Sequence, residues 1–257
     1  MLTIGLGPAF VGGSGGGNGN QQGQTIFDLD FVEVKVSPTL KTTSITEFPL
    51  VDTSLITTMV QFFANCTKLV SIAKINTPNL VDMSYMCYNC SQLQSFPHID
   101  TSNVTLMKQT FQYCEKLTTI PALDTSQVTE MSSMFRNSGL VTLPALNTAR
   151  LSTTSSMFNT CTNLKEVLGL DMTRVTATDT MFMSCSNLET CYLKGLKNHI
   201  SLGDSPKLSK ESVLYLFNNA QTVSSTKTIS LHADVFAKLT DAEIATATEK
   251  GFSVISK

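Results

Sequence analysis

The sequence predicts an α/β solenoid of about six stacked coils of 23–24 residues each, on the strength of three columns that keep one period. Cys66, Cys90, Cys114, Cys161 and Cys185 share a slot that Ser138 fills once, giving successive spacings of 24, 24, 24, 23 and 24. Asp52, Asn76, Asp100, Asp124, Asn147 and Asp171 repeat in step, and so do Phe63, Cys87, Phe111, Phe135, Phe158 and Phe182. A unit this short cannot bury its own apolar face. Neighbours must stack to share a core, and the same residue type returns because the same slot returns one layer higher.

The elements follow in order. Residues 1–24 read as a glycine-rich tether or attachment segment, since "GGSGGGNGNQQG" at 12–23 has nothing with which to build a core. The opening "MLTIGLGPAFV" lacks the basic stretch and cleavage site of an export signal. Residues 25–47 form the N-terminal cap region, where "TIFDLDFVEVKV" alternates apolar and polar residues like a strand covering the first coil. The solenoid occupies 48–191. In each coil the leucine end, as in "CEKLTTIPALD" from Cys114, has the Thr-rich, β-branched character of a strand. Asp-Thr-Ser then turns the chain, and the spacing of Val128, Met131, Met134 and Phe135 predicts a helical turn or two.

After Cys191 the period stops, and 192–257 reads as a small mixed α/β cap. Ser209 is placed to cap a helix over "SKESVLYLFNNA", and "KTISL" from Lys227 is strand-like. Thr240 and Glu243 form a capping box for a helix that Gly251 ends, and "FSVIS" closes the chain as a strand.

Charged residues make up 15% of the chain, against roughly 25% in ordinary soluble domains. The net charge of −2, from 18 basic and 20 acidic residues with no basic run, argues against nucleic acid as a partner. No apolar stretch is long enough to span a bilayer. Cys87-Tyr88-Asn89-Cys90 is a CxxC, yet both cysteines already belong to repeat columns and no second ligand pair accompanies them. Stacked cysteines point the same way, with Cβ atoms nearly a strand spacing apart, so free buried thiols are expected and Ser138 substitutes on size. His98, His199 and His232 make no ligand pattern, and the regular aspartates beside Thr-Ser fit turn capping. The sequons at Asn65, Asn89 and Asn103 arise within the repeat. No catalytic residue, no cofactor site and no metal site is expected, and most of the 11 methionines are assigned to the core.

"LDTSQVTEMSSMF" at 123–135 and "MFNTCTNL" at 157–164 resemble the BspA-like leucine-rich-repeat surface proteins, whose coils carry MSxMFxxCxxLxxL and LDTSxVTxM signatures. The resemblance covers a little over half the chain. It implies a non-enzymatic extracellular recognition module, in a family whose repeat also occurs in phage-encoded proteins. With no export signal read, the expectation is a bacteriophage virion protein: a tail or head fibre or adhesin for host attachment, joined to other virion proteins through its N-terminal segment. The alternatives are a bacterial cell-surface adhesin and a purely architectural virion decoration protein. The expected partner is a bacterial surface glycan or protein, with further copies of the chain as a second kind of contact. On the leucine-end strands the residues between core positions form the expected contact face: Gln94, Ser95, Thr118, Thr119, Thr142, Lys165, Glu166, Glu189 and Thr190, flanked by His98 and Tyr192. This face has no central aromatic cluster.

Overall fold

The computed structural model describes residues 46–48 and 53–257. All of these belong to one compact unit, Thr42–Lys257. The glycine-rich segment, the expected cap strand at 25–36 and Asp52 lie outside the described residues.

Stacking is visible in the main chain. Parallel bridges run from Thr58 to Asp82, Leu106, Glu130, Thr153 and Ala177, one residue per period. Beside them the N–H groups of Val81, Thr105, Thr129, Ser152 and Thr176 donate to the carbonyls of Thr57, Val81, Thr105, Thr129 and Ser152 at 2.8–3.1 Å. This ladder follows the Thr-x-Met segment.

The helical turn expected after that segment is replaced by a run of tight turns; among the described residues the first α-helix begins at Lys210. The amides of Met107, Gln109, Phe111 and Tyr113 donate to Glu130, Ser132, Met134 and Arg136 of the next coil at 2.9–3.0 Å. Gln112 and Cys114 donate back to Gln109 and Phe111 within their own coil. An α-helix keeps its amides inside itself, whereas here alternate amides leave for the neighbour. The peptide orientation is reversed by two left-handed residues per coil: Gln61 and Asn65, Tyr85 and Asn89, Gln109 and Tyr113, Ser133 and Asn137, Ser156 and Thr160, Thr180 and Ser184. Both arrangements put the same residues inside, so the three- and four-residue spacing did not tell them apart.

The leucine end is a less regular sheet than expected. Strand β1 (Glu47–Phe48) pairs in parallel with β2 (Ser71–Ile72), Ser71 bridges Ser95, and β3 (Glu166–Asp171) pairs with β4 (Thr190–Lys194). In the coils between, Pro97, Pro121 and Pro144 stand where β3 has Leu168, and each removes a ladder donor. The β3–β4 register slips by one residue between Val167 and Leu170, with Gly169 at φ 76° absorbing the bulge.

The interior consists of the predicted columns. Phe111, Phe135, Phe158 and Phe182 are fully buried and stack nearly parallel, with centroids 5.8, 5.8 and 5.5 Å apart. Cys87 interrupts that column, and from the same coil Phe96 packs edge-on against Phe111 at 4.8 Å, supplying a ring contact there. Among the described residues nine methionines are buried, while Met183 is 43% exposed.

One coil is a residue short. Leu140 follows Ser138 by two positions where Leu117 follows Cys114 by three, so the chain must cut across its neighbour. Gly139 makes the cut: it donates to the Cys114 carbonyl at 3.0 Å, and a Cβ there would lie 2.1 Å from the Glu115 oxygen.

Beyond β4 the chain forms β5 (Ile200–Leu202), α1 (Lys210–Asn219), β6 (Lys227–Leu231), α2 (Ala233–Phe236), α3 (Asp241–Thr248) and β7 (Phe252–Ser256), with β5-β6-β7 a parallel sheet. Ser209 caps α1, the Thr240–Glu243 capping box opens α3, and Gly251 at φ 91° follows α3, all as the sequence suggests. Lys210 ties α1 to α3 through Glu243 at 2.8 Å.

Candidate recognition surface

The predicted contact residues lie on successive coils of the leucine end. Gln94, Ser95, His98, Thr118, Thr119, Thr142, Lys165, Glu166 and Glu189 are exposed, and Thr190 and Tyr192 are half-buried. Their spacing is fixed by main-chain bonds. Gln94 donates to Val70 at 2.9 Å, Val141 to Thr118 at 2.9 Å, and Lys165 to Val141 at 3.1 Å. The Lys165 carbonyl then accepts from Glu189 and Thr190 at 2.8 and 3.0 Å, and Glu166 stands directly opposite Thr190. The structure thus brings Lys165, Glu166, Glu189, Thr190 and Tyr192 together at the starts of β3 and β4. Gln94, Ser95 and His98 belong to an earlier coil.

The aromatic content of this face exceeds the sequence expectation. Tyr192 packs against Tyr215 of α1 with centroids 4.8 Å apart, and its hydroxyl donates to Glu211 at 3.1 Å. That bond to a carboxylate raises the Tyr192 phenol above its usual pKa. Tyr215 was missed because it lies outside the repeat and reaches β4 only through the fold of the cap.

The carboxylate column is committed to turns. Asp100 accepts from the Ser102 hydroxyl and amide, Asp124 from the Ser126 amide, and Asp171 from the Thr173 amide, at 2.7–3.0 Å. The bonds from Ser102 lower the Asp100 pKa, and those from Ser126 lower that of Asp124, as expected for carboxylates accepting donors in their charged form. Such groups serve the backbone and are poor general acids.

All seven cysteines are buried. The slot asks for more than size. Cys90, Cys114, Cys161 and Cys185 point their Sγ at the carbonyls of Phe63, Cys87, Phe135 and Phe158 in the coil before, at 2.9–3.1 Å. Ser138 keeps a small polar group in the column, and its Oγ lies 3.6 Å from the Cys161 sulfur of the next coil. Burial pushes the Cys66 and Cys161 thiols up to about 12 and about 11. Thiolate, the reactive form, is therefore scarce at neutral pH. The seven thiols are expected to resist an alkylating reagent in the native protein and all to label after unfolding without reductant. Ready native labelling of Cys90, Cys114 or Cys161 would contradict this burial.

Three further tyrosines form a cluster on the turn side of the coils. Tyr88 lies between Tyr85, 6.0 Å away, and Tyr113, 5.6 Å away and edge-on. The sequence carries a hint of them: Tyr85 and Tyr113 occupy slots that the other coils give to Asn, Ser, Thr or Gln. Among the described residues no group of three or more His, Cys, Asp or Glu is placed to hold a metal ion, and no helix is long and apolar enough to cross a membrane.

Among curated proteins none matches the sequence. A solved structure it resembles is that of a T. pallidum leucine-rich-repeat protein, at TM-score 0.42 and 12% identity, over 81% of this chain and 83% of that one. The family model described as "Mycoplasma protein of unknown function, DUF285" matches residues 36–139 and 94–194, together well over half of the chain. The protein therefore belongs to that family, in agreement with the BspA-like leucine-rich-repeat resemblance of its coils.

Proposed function

We propose that the protein is a non-enzymatic recognition module that binds a surface glycan or protein through the leucine-end face of its coils. The observation that carries the reading is the set of exposed polar side chains on consecutive coils, held in register by inter-coil main-chain bonds and bordered by Tyr192 against Tyr215. A rigid array of this kind loses little conformational entropy on binding. Weak contacts from several coils, or several copies, then add through effective concentration. The non-enzymatic reading is supported by carboxylates turned onto backbone amides and by thiols sequestered in the core.

In its narrower form the proposal places the chain outside the cell, on a bacteriophage virion as a tail or head fibre or adhesin attached through residues 1–24, with the bacterial cell surface as the alternative. Immunoblotting purified virions against washed bacterial surfaces separates these two.

The contact face is tested with beads carrying many copies of the protein, scored for adsorption to bacterial cells. Changing Thr119, Lys165 and Glu189 together to alanine is expected to weaken adsorption at least about tenfold, because the loss multiplies over copies. The melting temperature should stay the same. Undiminished adsorption of the folded variant would remove the leucine-end face from the site.

A further inference from the structure

We propose that Tyr85, Tyr88 and Tyr113 form a second binding site, on the turn side of the coils, for a neutral glycan. This site is independent of the leucine-end face, since the turn segments and the leucine end are different parts of each coil. All three rings are half-exposed and within 6.0 Å of a neighbour, and they come from two consecutive coils. Aromatic faces with a hydroxyl at the rim pack against the apolar face of a sugar ring and hydrogen-bond at its edge.

The backbone supplies a second observation. Tyr85 and Tyr113 sit at φ 59° and 62°, a region that bulky side chains adopt at a cost and Asn adopts more readily. In the Tyr113 slot the neighbouring coils have Asn89 and Asn137. The fold alone would favour Asn there too. Both slots are left-handed in every coil, Thr160 and Thr180 included, so what sets Tyr85 and Tyr113 apart is a large half-exposed ring where the other coils carry a smaller polar side chain.

The surroundings select the ligand class. Asn89 donates its amide to Asn65 at 3.0 Å, so side-chain amides line the neighbouring Asn column. Lys108 and Arg136 of the adjoining slots are matched in number by Asp82 and Glu130, whose carboxylates accept from the amides of Ser84 and Ser132 at 2.8 and 2.7 Å. Rings and amides without a net field suit a neutral polyhydroxylated chain better than an ionic ligand.

Three of the 5 tyrosines are in this cluster and the chain has no tryptophan, so intrinsic tyrosine fluorescence reports on the site. Native electrophoresis through gels containing mannan, laminarin or hydroxyethylcellulose is expected to show retardation with at least one polysaccharide, unaffected by half-molar salt. Titration of that polysaccharide should change the tyrosine emission. Tyr88→Ala and Tyr113→Asn are each expected to abolish the retardation, and Tyr113→Asn to do so with a melting temperature equal to or above that of the parent protein. The proposal is overturned if none of the three polysaccharides retards the protein, if folded Tyr113→Asn protein is retarded like the parent, or if only acidic polygalacturonate binds and salt releases it.

Discussion

Replacing Phe135 by alanine is expected to destabilise the protein by about 3–5 kcal/mol, the range for emptying a buried aromatic site. Phe135 is fully buried and has a parallel ring on each side, Phe111 and Phe158, both at 5.8 Å. Its removal opens a void in the middle of the stack. Neither neighbour can close the gap without leaving the register set by its own coil, since Phe111 donates to Met134 and Phe135 donates to Met157 through the backbone. Denaturant melts of parent and variant measure the loss directly. A difference under about 1 kcal/mol would mean that the column is not the core of the stack.

Gly139→Ala is expected to be the second severe change, at or above the top of the ~1–3 kcal/mol typical of overpacking. The added methyl would meet the Glu115 carbonyl at 2.1 Å, and the obstacle is backbone, so no rotamer change relieves it. Gly169→Ala makes the informative contrast. Nothing lies within 4 Å of a Cβ there, so its cost is limited to the left-handed backbone at φ 76°, roughly 1–2 kcal/mol. Equal melting temperatures for the two variants would argue against the close approach of the shortened coil to its neighbour.

The period and the core columns were legible in the sequence because the stack forces the same slot to recur. Phe111 through Phe182, the cysteines and, among the described residues, every methionine but Met183 went to the interior as read. The caps of the C-terminal helices were legible for a local reason: a side chain such as Ser209 or Thr240 bonds amides within three residues of itself. The conformation of the Met-Phe-x-x-Cys segment was not legible. Its apolar spacing fits a helix as well as a run of turns, and the choice is made by inter-coil bonds such as that from Gln109 to Ser132. Likewise the strand at the leucine end is shorter than the β-branched character of "CEKLTTIPALD" suggests, because a proline such as Pro121 within it removes a ladder donor. On the surface, the exposed columns followed from alternation with buried ones. The tyrosine pair at Tyr192 and Tyr215 did not, since it depends on how α1 packs against β4.

Neighbouring coils are joined by main-chain bonds through their turns, so the stack is expected to open as one cooperative unit, which native-state hydrogen exchange measures residue by residue. The amides of Tyr85, Gln109, Ser133 and Ser156 belong to four successive coils, none of them in a helix, and donate to Lys108, Ser132, Ser155 and Asp179 of the next coil at 2.8–3.0 Å. All four are predicted to exchange slowly, with a common opening free energy equal to that of global unfolding. Exchange of Gln109 or Ser133 at the rate of an unprotected loop amide, while the Phe135 column remains intact, would contradict the account.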